Sequence, residues 1–180
     1  VKKKSPDVSY IAQGNFSNQT SYIIDNKSNI TSNEMPKISD GVVGTSFSFG
    51  NENDVLYLES VPNFESTDSF SGALWLNTEK RKKGFSQTIF GTTGGKNNYW
   101  RGWDLFLDDN NYINFRLISS LPENVIHVKS PDSLKINKWD HLAFTYDGSG
   151  EAIGVKLFLN GNQIDQIVKT DNLYKSIKPV

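Results

Sequence analysis

The sequence predicts an all-β fold, an antiparallel β-sandwich of the jelly-roll kind, on three observations. Short segments alternate apolar and polar residues, and clusters of Gly, Asn and Asp separate them. No segment sustains a helical apolar period over three turns. Aromatic residues are 12% of a chain that is only 36% hydrophobic, so much of the core must be Phe, Tyr and Trp, residues that suit strands.

The elements follow in order. Residues 1–40 are rich in Asn, Ser, Thr and Lys and read as long loops with one or two edge strands. TSFSF (Thr45–Phe49) and VLYLESV (Val55–Val61) flank GNEND, a hairpin signal. SFSGALWLNT (Ser69–Thr78) and SQTIFGTT (Ser86–Thr93) flank the basic run EKRKKG, read as a solvated hairpin loop or as a contact for sulfate or uronate groups. Strands are then expected at Trp103–Leu107, Ile113–Ile118, HLAFTYDG and VKLFLNGNQIDQIV. Asn160-Gly161 in the last of these marks a type I′ turn, which needs positive φ at both positions.

The stretch from Trp103 to Leu117 fixes its own register. A turn of Asp109, Asn110 and Asn111, ending on an Asn that tolerates the left-handed conformation, pairs Leu107 with Ile113, Leu105 with Phe115 and Trp103 with Leu117. All six are apolar and share one face, so Trp103 is expected in the core. The opposite face then carries Asp104 against Arg116 and Phe106 against Asn114. A slip of one residue would mix the faces. That second face reads either as a cross-strand ion pair or as the floor of a polar groove. By the same alternation Leu142, Phe144, Tyr146, Val155, Leu157 and Leu159 point inward, and Lys156 and Phe158 point away. Tyr99 and Trp100 sit before the strand in a loop loosened by Gly94 and Gly95. They are either a loop plug or a stacking platform.

The length of 180 residues suits one domain over 1–180, and the net charge of −1 gives no basic stripe of the kind nucleic-acid binders show. Cysteine is absent, which excludes disulfides, thiolate catalysis and cysteine-ligated zinc. No apolar run is long enough for a membrane-spanning helix. His127 and His141, the two histidines, cannot alone form a multi-histidine metal site. GTTGGKNN lacks the end of a phosphate loop, and no G-x-S-x-G elbow occurs. Asn15, Asn18, Asn26 and Asn29 begin N-x-S/T sequons, which chance explains in so Asn- and Ser-rich a segment.

The run WRGWDLFL…INFRLISS…ENVIHVKS…INKWDHLAFTYDGSGEAIGVKLFLNG resembles the laminin-G-like, concanavalin A-like lectin/glucanase superfamily, closest to bacterial LamG-type domains of secreted proteins. W-x-H-x-A-x-T-Y-D-G-S followed by K-L-F-L-N-G is its most specific element, and GVVGTSFSFGNENDVLYL resembles the family's early hairpin. The resemblance covers about Asp40 to Ile164. It implies two curved antiparallel sheets, ligands on the concave sheet or its rim, a secreted or cell-surface setting and a place in a larger multidomain protein. It also implies further strands after KTDNLYKSIKPV, so that either the sequence continues beyond this end or the closing strand comes from elsewhere, from the Asn-rich N-terminal segment or another chain. Many relatives hold calcium, which Asn51, Asn53 and Asp54 could ligate or simply turn the chain.

The glucanases of the superfamily place carboxylates on alternate positions of one strand, E-x-D-x-x-E or E-x-D-x-E, and this chain has no such segment. The expectation is a non-catalytic, lectin-like carbohydrate-binding module. Sugar rings would stack on Trp100 and Tyr99, with Asp104, Asn114 and Phe106 on the sheet face beside them. Arg101, Arg116, His127 and Lys156, beside Phe158, would favour an anionic or sulfated polysaccharide. The alternative is a structural or protein-interaction domain. It predicts that Trp100 is buried and the Asp104–Arg116 pair closed off.

Overall fold

The structure, a computed structural model, describes residues 21–24, 28–31, 36–42, 44–49, 56–58, 63–79 and 83–178. The sequence pattern reads as a single domain; the chain divides into two compact units, Val1–Pro62 and Asn63–Val180. Every pairing among the described strands is antiparallel, as the alternation requires.

In the first unit, β1 (Ser21–Ile24), β2 (Ser28–Thr31) and β5 (Tyr57–Leu58) form one sheet, and β3 (Lys37–Asp40) pairs with β4 (Thr45–Ser48). The turn expected at GNEND lies outside the described residues; among those described, the two flanking strands do not pair with each other. Thr45–Ser48 folds back on Lys37–Asp40 over a turn closed by the Gly41 N–H to Gly44 carbonyl bond of 2.9 Å, and Tyr57–Leu58 pairs with β2. Gly44 takes φ of 66°, so the turn sits at G-V-V-G.

The second unit holds β6 (Phe70–Asn77), β7 (Gln87–Gly91), β8 (Gly102–Leu107), β9 (Tyr112–Ser120), β10 (Asn124–Ser133), β11 (Trp139–Tyr146), β12 (Val155–Leu159), β13 (Asn162–Ile164) and β14 (Ile167–Asn172). They make a five-stranded sheet, β14-β10-β9-β8-β7, and a four-stranded sheet, β13-β12-β11-β6. The register derived for β8 and β9 is the one found: Trp103 opposes Leu117, Leu105 opposes Phe115, and Asn111 at φ 62° ends the turn. Asn160 and Gly161 take φ of 52° and 83°, as a type I′ turn demands.

Aromatic rings from both sheets fill the space between them. Phe144 of β11 lies 4.6 Å from Phe115 and 5.3 Å from Trp103, and Phe70 of β6 lies 5.2 Å from Trp103. Each such buried side chain contributes roughly 1.5–3 kcal/mol. Gly72 on β6 is what lets Phe144 in: a Cβ there would stand 2.7 Å from the ring. The motif W-D-H…L-N-G is one hydrogen-bonded unit. The Asn160 amide donates to buried Asp140 (2.7 Å) and accepts the His141 N–H (2.9 Å), locking the β12–β13 turn onto the start of β11.

One expectation changes here. The basic run does not close a hairpin, since β6 pairs with β11 and β7 with β8; the segment carries the chain from one sheet to the other. Period-two alternation specifies a strand's faces and leaves its neighbours open. The C-terminal segment packs as part of the second unit. β14 adds to β10, and Ile177 is fully buried in the core.

Glu65 clasps that segment, accepting from the Ser176 hydroxyl (2.5 Å) and the Ile177 N–H (3.0 Å). Desolvation raises its pKa, but these bonds and those from Ser66 outweigh it and bring the carboxyl to about 2. A depressed carboxyl stabilises the fold above its unfolded value and loses that contribution as pH falls toward the folded one. Stability should therefore drop between pH about 4.5 and about 2. Glu65→Gln should flatten that part of the urea-midpoint-against-pH curve. A second prediction concerns packing: Gly72→Ala should cost about 1–3 kcal/mol in urea unfolding, because the Phe144 ring must shift.

Candidate functional site

The outward face of the five-stranded sheet is built row by row. Gly91, Asp104, Arg116, His127 and Thr170 oppose one another across all five strands. In the adjacent row stand Phe106, Asn114 and Lys129. Strand alternation thus brings Asp104, Phe106, Asn114, Arg116 and His127 together, as the sequence pattern implies.

These groups are committed to one another. Arg116 grips Asp104 with two bonds, Nε to Oδ1 at 2.9 Å and Nη2 to Oδ2 at 2.5 Å, and lays its guanidinium 4.2 Å above the Phe106 ring. The Asn114 amide nitrogen donates to the Tyr112 carbonyl (2.9 Å), so its oxygen faces His127 Nε2 at 3.0 Å. That arrangement assigns the proton to Nε2 and leaves Nδ1 as an acceptor. Lys129 pairs with Asp108 (2.7 Å) and sits 3.9 Å over the Tyr112 ring. Asp104 and Asn114 are each 2% exposed, and Phe106 is buried. The open floor expected from Asp104, Phe106 and Asn114 is therefore corrected: Asp104 and Phe106 hold Arg116, and Asn114 holds His127. Arg116, His127 and Lys129 remain partly accessible.

Burial pushes the His127 pKa down to about 4, helped by the positive charges of Arg116, Lys169 and Lys129 and opposed by Asp108. Desolvation opposes the fall at Asp108, but the Lys129 ammonium and the N–H groups of Tyr112 and Asn110 hold its carboxyl below the usual range.

The loop between β7 and β8 is of another kind. After the 3-10 turn Lys96–Asn98, Tyr99 and Trp100 take φ of 53° and 60°, two successive bulky residues in the left-handed region. That conformation costs roughly 1–2 kcal/mol each. The cost is offset by a backbone lattice in which Gly94 N–H bonds the Arg101 carbonyl (2.9 Å), Asn98 N–H bonds Gly95 (2.9 Å) and Arg101 N–H bonds Asn98 (2.9 Å). Arg101 Nε reaches the Ser119 carbonyl at 3.3 Å, tying the loop to β9. The strain keeps both rings in water, Tyr99 65% and Trp100 46% exposed. A plug would be buried; these are not. The two signs that were to separate a lectin from a structural domain thus part company: Trp100 is exposed and the Asp104–Arg116 pair is closed.

Lys156 and Phe158 do not join this site. They lie on the outward face of β12, in the four-stranded sheet, on the far side of the core. Alternation tells inward from outward and leaves unsaid which sheet a strand enters. Asn51, Asn53 and Asp54, the expected calcium ligands, lie outside the described residues. Among the described residues no group of three or more His, Asp or Glu could hold a metal ion. Sequence reasoning passed over Lys129, Asp108 and Lys169, whose charges act on His127; the alternation of β10 could have shown Lys129, whereas Asp108 lies in the β8–β9 turn and Lys169 on β14.

Two antiparallel sheets that share one aromatic core are the architecture of a β-sandwich. A family model for Laminin_G_3, of the concanavalin A-like lectin/glucanases superfamily, matches residues 49–178, and the chain belongs to that family. No curated protein matches the chain. Membership supports a general carbohydrate-binding or interaction role.

His127 gives a pH prediction. Its folded pKa lies below the unfolded 6.5, so the unfolded chain takes up the proton first as pH falls. Stability contributed by neutral His127 is present above pH 6.5 and lost progressively toward about 4. An NMR titration should show the His127 imidazole still neutral at pH 5.5, whereas a midpoint near 6.5 would mean the ring is solvated.

Proposed function

We propose that the second unit is a non-catalytic glycan-binding module in which Tyr99 and Trp100 stack on sugar rings. The observation that carries this reading is the strained, exposed aromatic pair. Backbone strain of this size persists only where surrounding bonds over-determine it, and it concentrates at functional positions. A rigid ring held in water has already lost the freedom that binding would otherwise cost it.

An anionic or sulfated polysaccharide suits the adjoining charges. Arg101 belongs to the loop, and only Trp103 separates Gly102 at its end from Asp104 and the Arg116 row. Lys129 and Lys169 lie close enough to act on His127, so cations gather on the accessible side of this sheet. Asp104 and Asp108 are each committed to a cation, which favours binding over hydrolysis. A secreted or cell-surface setting, where polysaccharides are met, is part of the same proposal. The second reading, a structural or protein-interaction domain, is favoured by the closure of the Asp104–Arg116 pair.

Trp100→Gly separates the two readings. Glycine adopts positive φ without strain, so the variant should keep or slightly raise its thermal midpoint. Fluorescence titration with sulfated and neutral polysaccharides, with calcium and with chelator, should show saturable binding that weakens at least about tenfold in the variant. Binding that the variant leaves unchanged, or no binding by the parent chain, sinks the glycan reading.

A further inference from the structure

The outward face of the four-stranded sheet carries features that the loop site does not use. On β6 the inward residues are Phe70, Gly72, Leu74 and Leu76, so Trp75 points out and is 47% exposed. Its ring meets His141 of β11 edge-to-face, with centroids 5.1 Å apart and planes at 65°. One row along, Ala73, Ala143, Phe158 and Gln163 oppose one another across β6, β11, β12 and β13. Two adjacent alanines therefore form a low floor, with Trp75 and His141 on one side and Phe158 beyond. Ala73 is exposed and Ala143 half-buried, so the floor is accessible.

Strand spacing of about 4.8 Å and a rise of about 3.4 Å per residue put the Cα atoms of Trp75 and Phe158 about 12 Å apart. That span exceeds a single sugar ring and suits a chain. The electrostatics select the kind of chain. No carboxylate occupies an outward position on these four strands, and no arginine does. Gln163, Asn77 and Thr145 supply neutral donors and acceptors, and Lys156 stands at the margin opposite Thr145. Ring faces beside amides and hydroxyls, without a guanidinium fork, match the C–H faces and hydroxyls of uncharged sugars.

We propose that this trough is a second binding site, for an uncharged polysaccharide chain, with Trp75 and Phe158 as its stacking residues. It is independent of the Tyr99–Trp100 loop and stands if that site fails. The full chain is titrated with soluble β-glucan, xylan and mannan by calorimetry, as the parent and as Trp75→Ala, Phe158→Ala and Trp100→Gly, with thermal unfolding as a folding control. Binding of at least one neutral polysaccharide should weaken about tenfold or more in Trp75→Ala and in Phe158→Ala and persist in Trp100→Gly. Should Trp75→Ala unfold, Phe158→Ala and Gln163→Ala read the same site. No neutral binding, or binding indifferent to these variants, overturns the proposal. So does sedimentation showing self-association that Trp75→Ala abolishes, since the face would then be a contact between copies of the chain.

Discussion

Asp104 and Arg116 face each other across β8 and β9, and much of the second unit depends on that opposition. The carboxylate is almost fully buried and both its oxygens are taken by one guanidinium. Removing one partner of such a buried pair typically costs about 3–5 kcal/mol, because the other is left charged without compensation. A register slip would do the same and would also turn Trp103, Leu105 and Phe115 out of the core. The ion pair and the aromatic packing therefore enforce one register from opposite faces of the sheet. Phe106 beneath the guanidinium and Asn114 beside His127 extend the constraint across the strands.

Satisfying that face internally has a consequence for function. Groups chosen to fix a register are poor at receiving a ligand, since each bond to a ligand would first break one inside the protein. In the proposed reading, the anionic ligand is met beside this face, where the backbone is free of the sheet. The β7–β8 loop is such a place: it spends conformational energy to hold two aromatic rings in water, and its bonds to β9 keep it rigid. The sheet positions the loop, and the loop presents the rings. Membership of the Laminin_G_3 family agrees with a binding or interaction role for such a scaffold.

Much of this was legible in the residues. Alternation and a left-handed Asn111 sufficed for the β8–β9 register, the Asn-Gly pair for the β12–β13 turn, and the inward parity of Leu142, Phe144 and Tyr146 for the core. What escaped was non-local. Nothing in SFSGALWLNT says that it pairs with a strand some seventy residues later rather than with the next one. Lys156 and Phe158 were correctly outward but on the other sheet. The closure of Asp104 depended on the reach of Arg116, and the burial of Ile177 on Glu65, 112 residues away in the chain. Trp75 was visible as an aromatic out of phase with Leu74 and Leu76, a signal that alternation alone supplies.

The central claim of the proposed function is a division of labour: the outward face of the five-stranded sheet is structural and the β7–β8 loop binds. Residue-resolved NMR of the isotope-labelled chain, titrated with a sulfated oligosaccharide, tests it directly. The account predicts shifts concentrated at Gly94–Arg101 and at the accessible ends of Arg116 and Lys129, with the backbone amides of Asp104 and Asn114 unmoved. Shifts centred on Asp104, Phe106 and Asn114, with the loop silent, would contradict it.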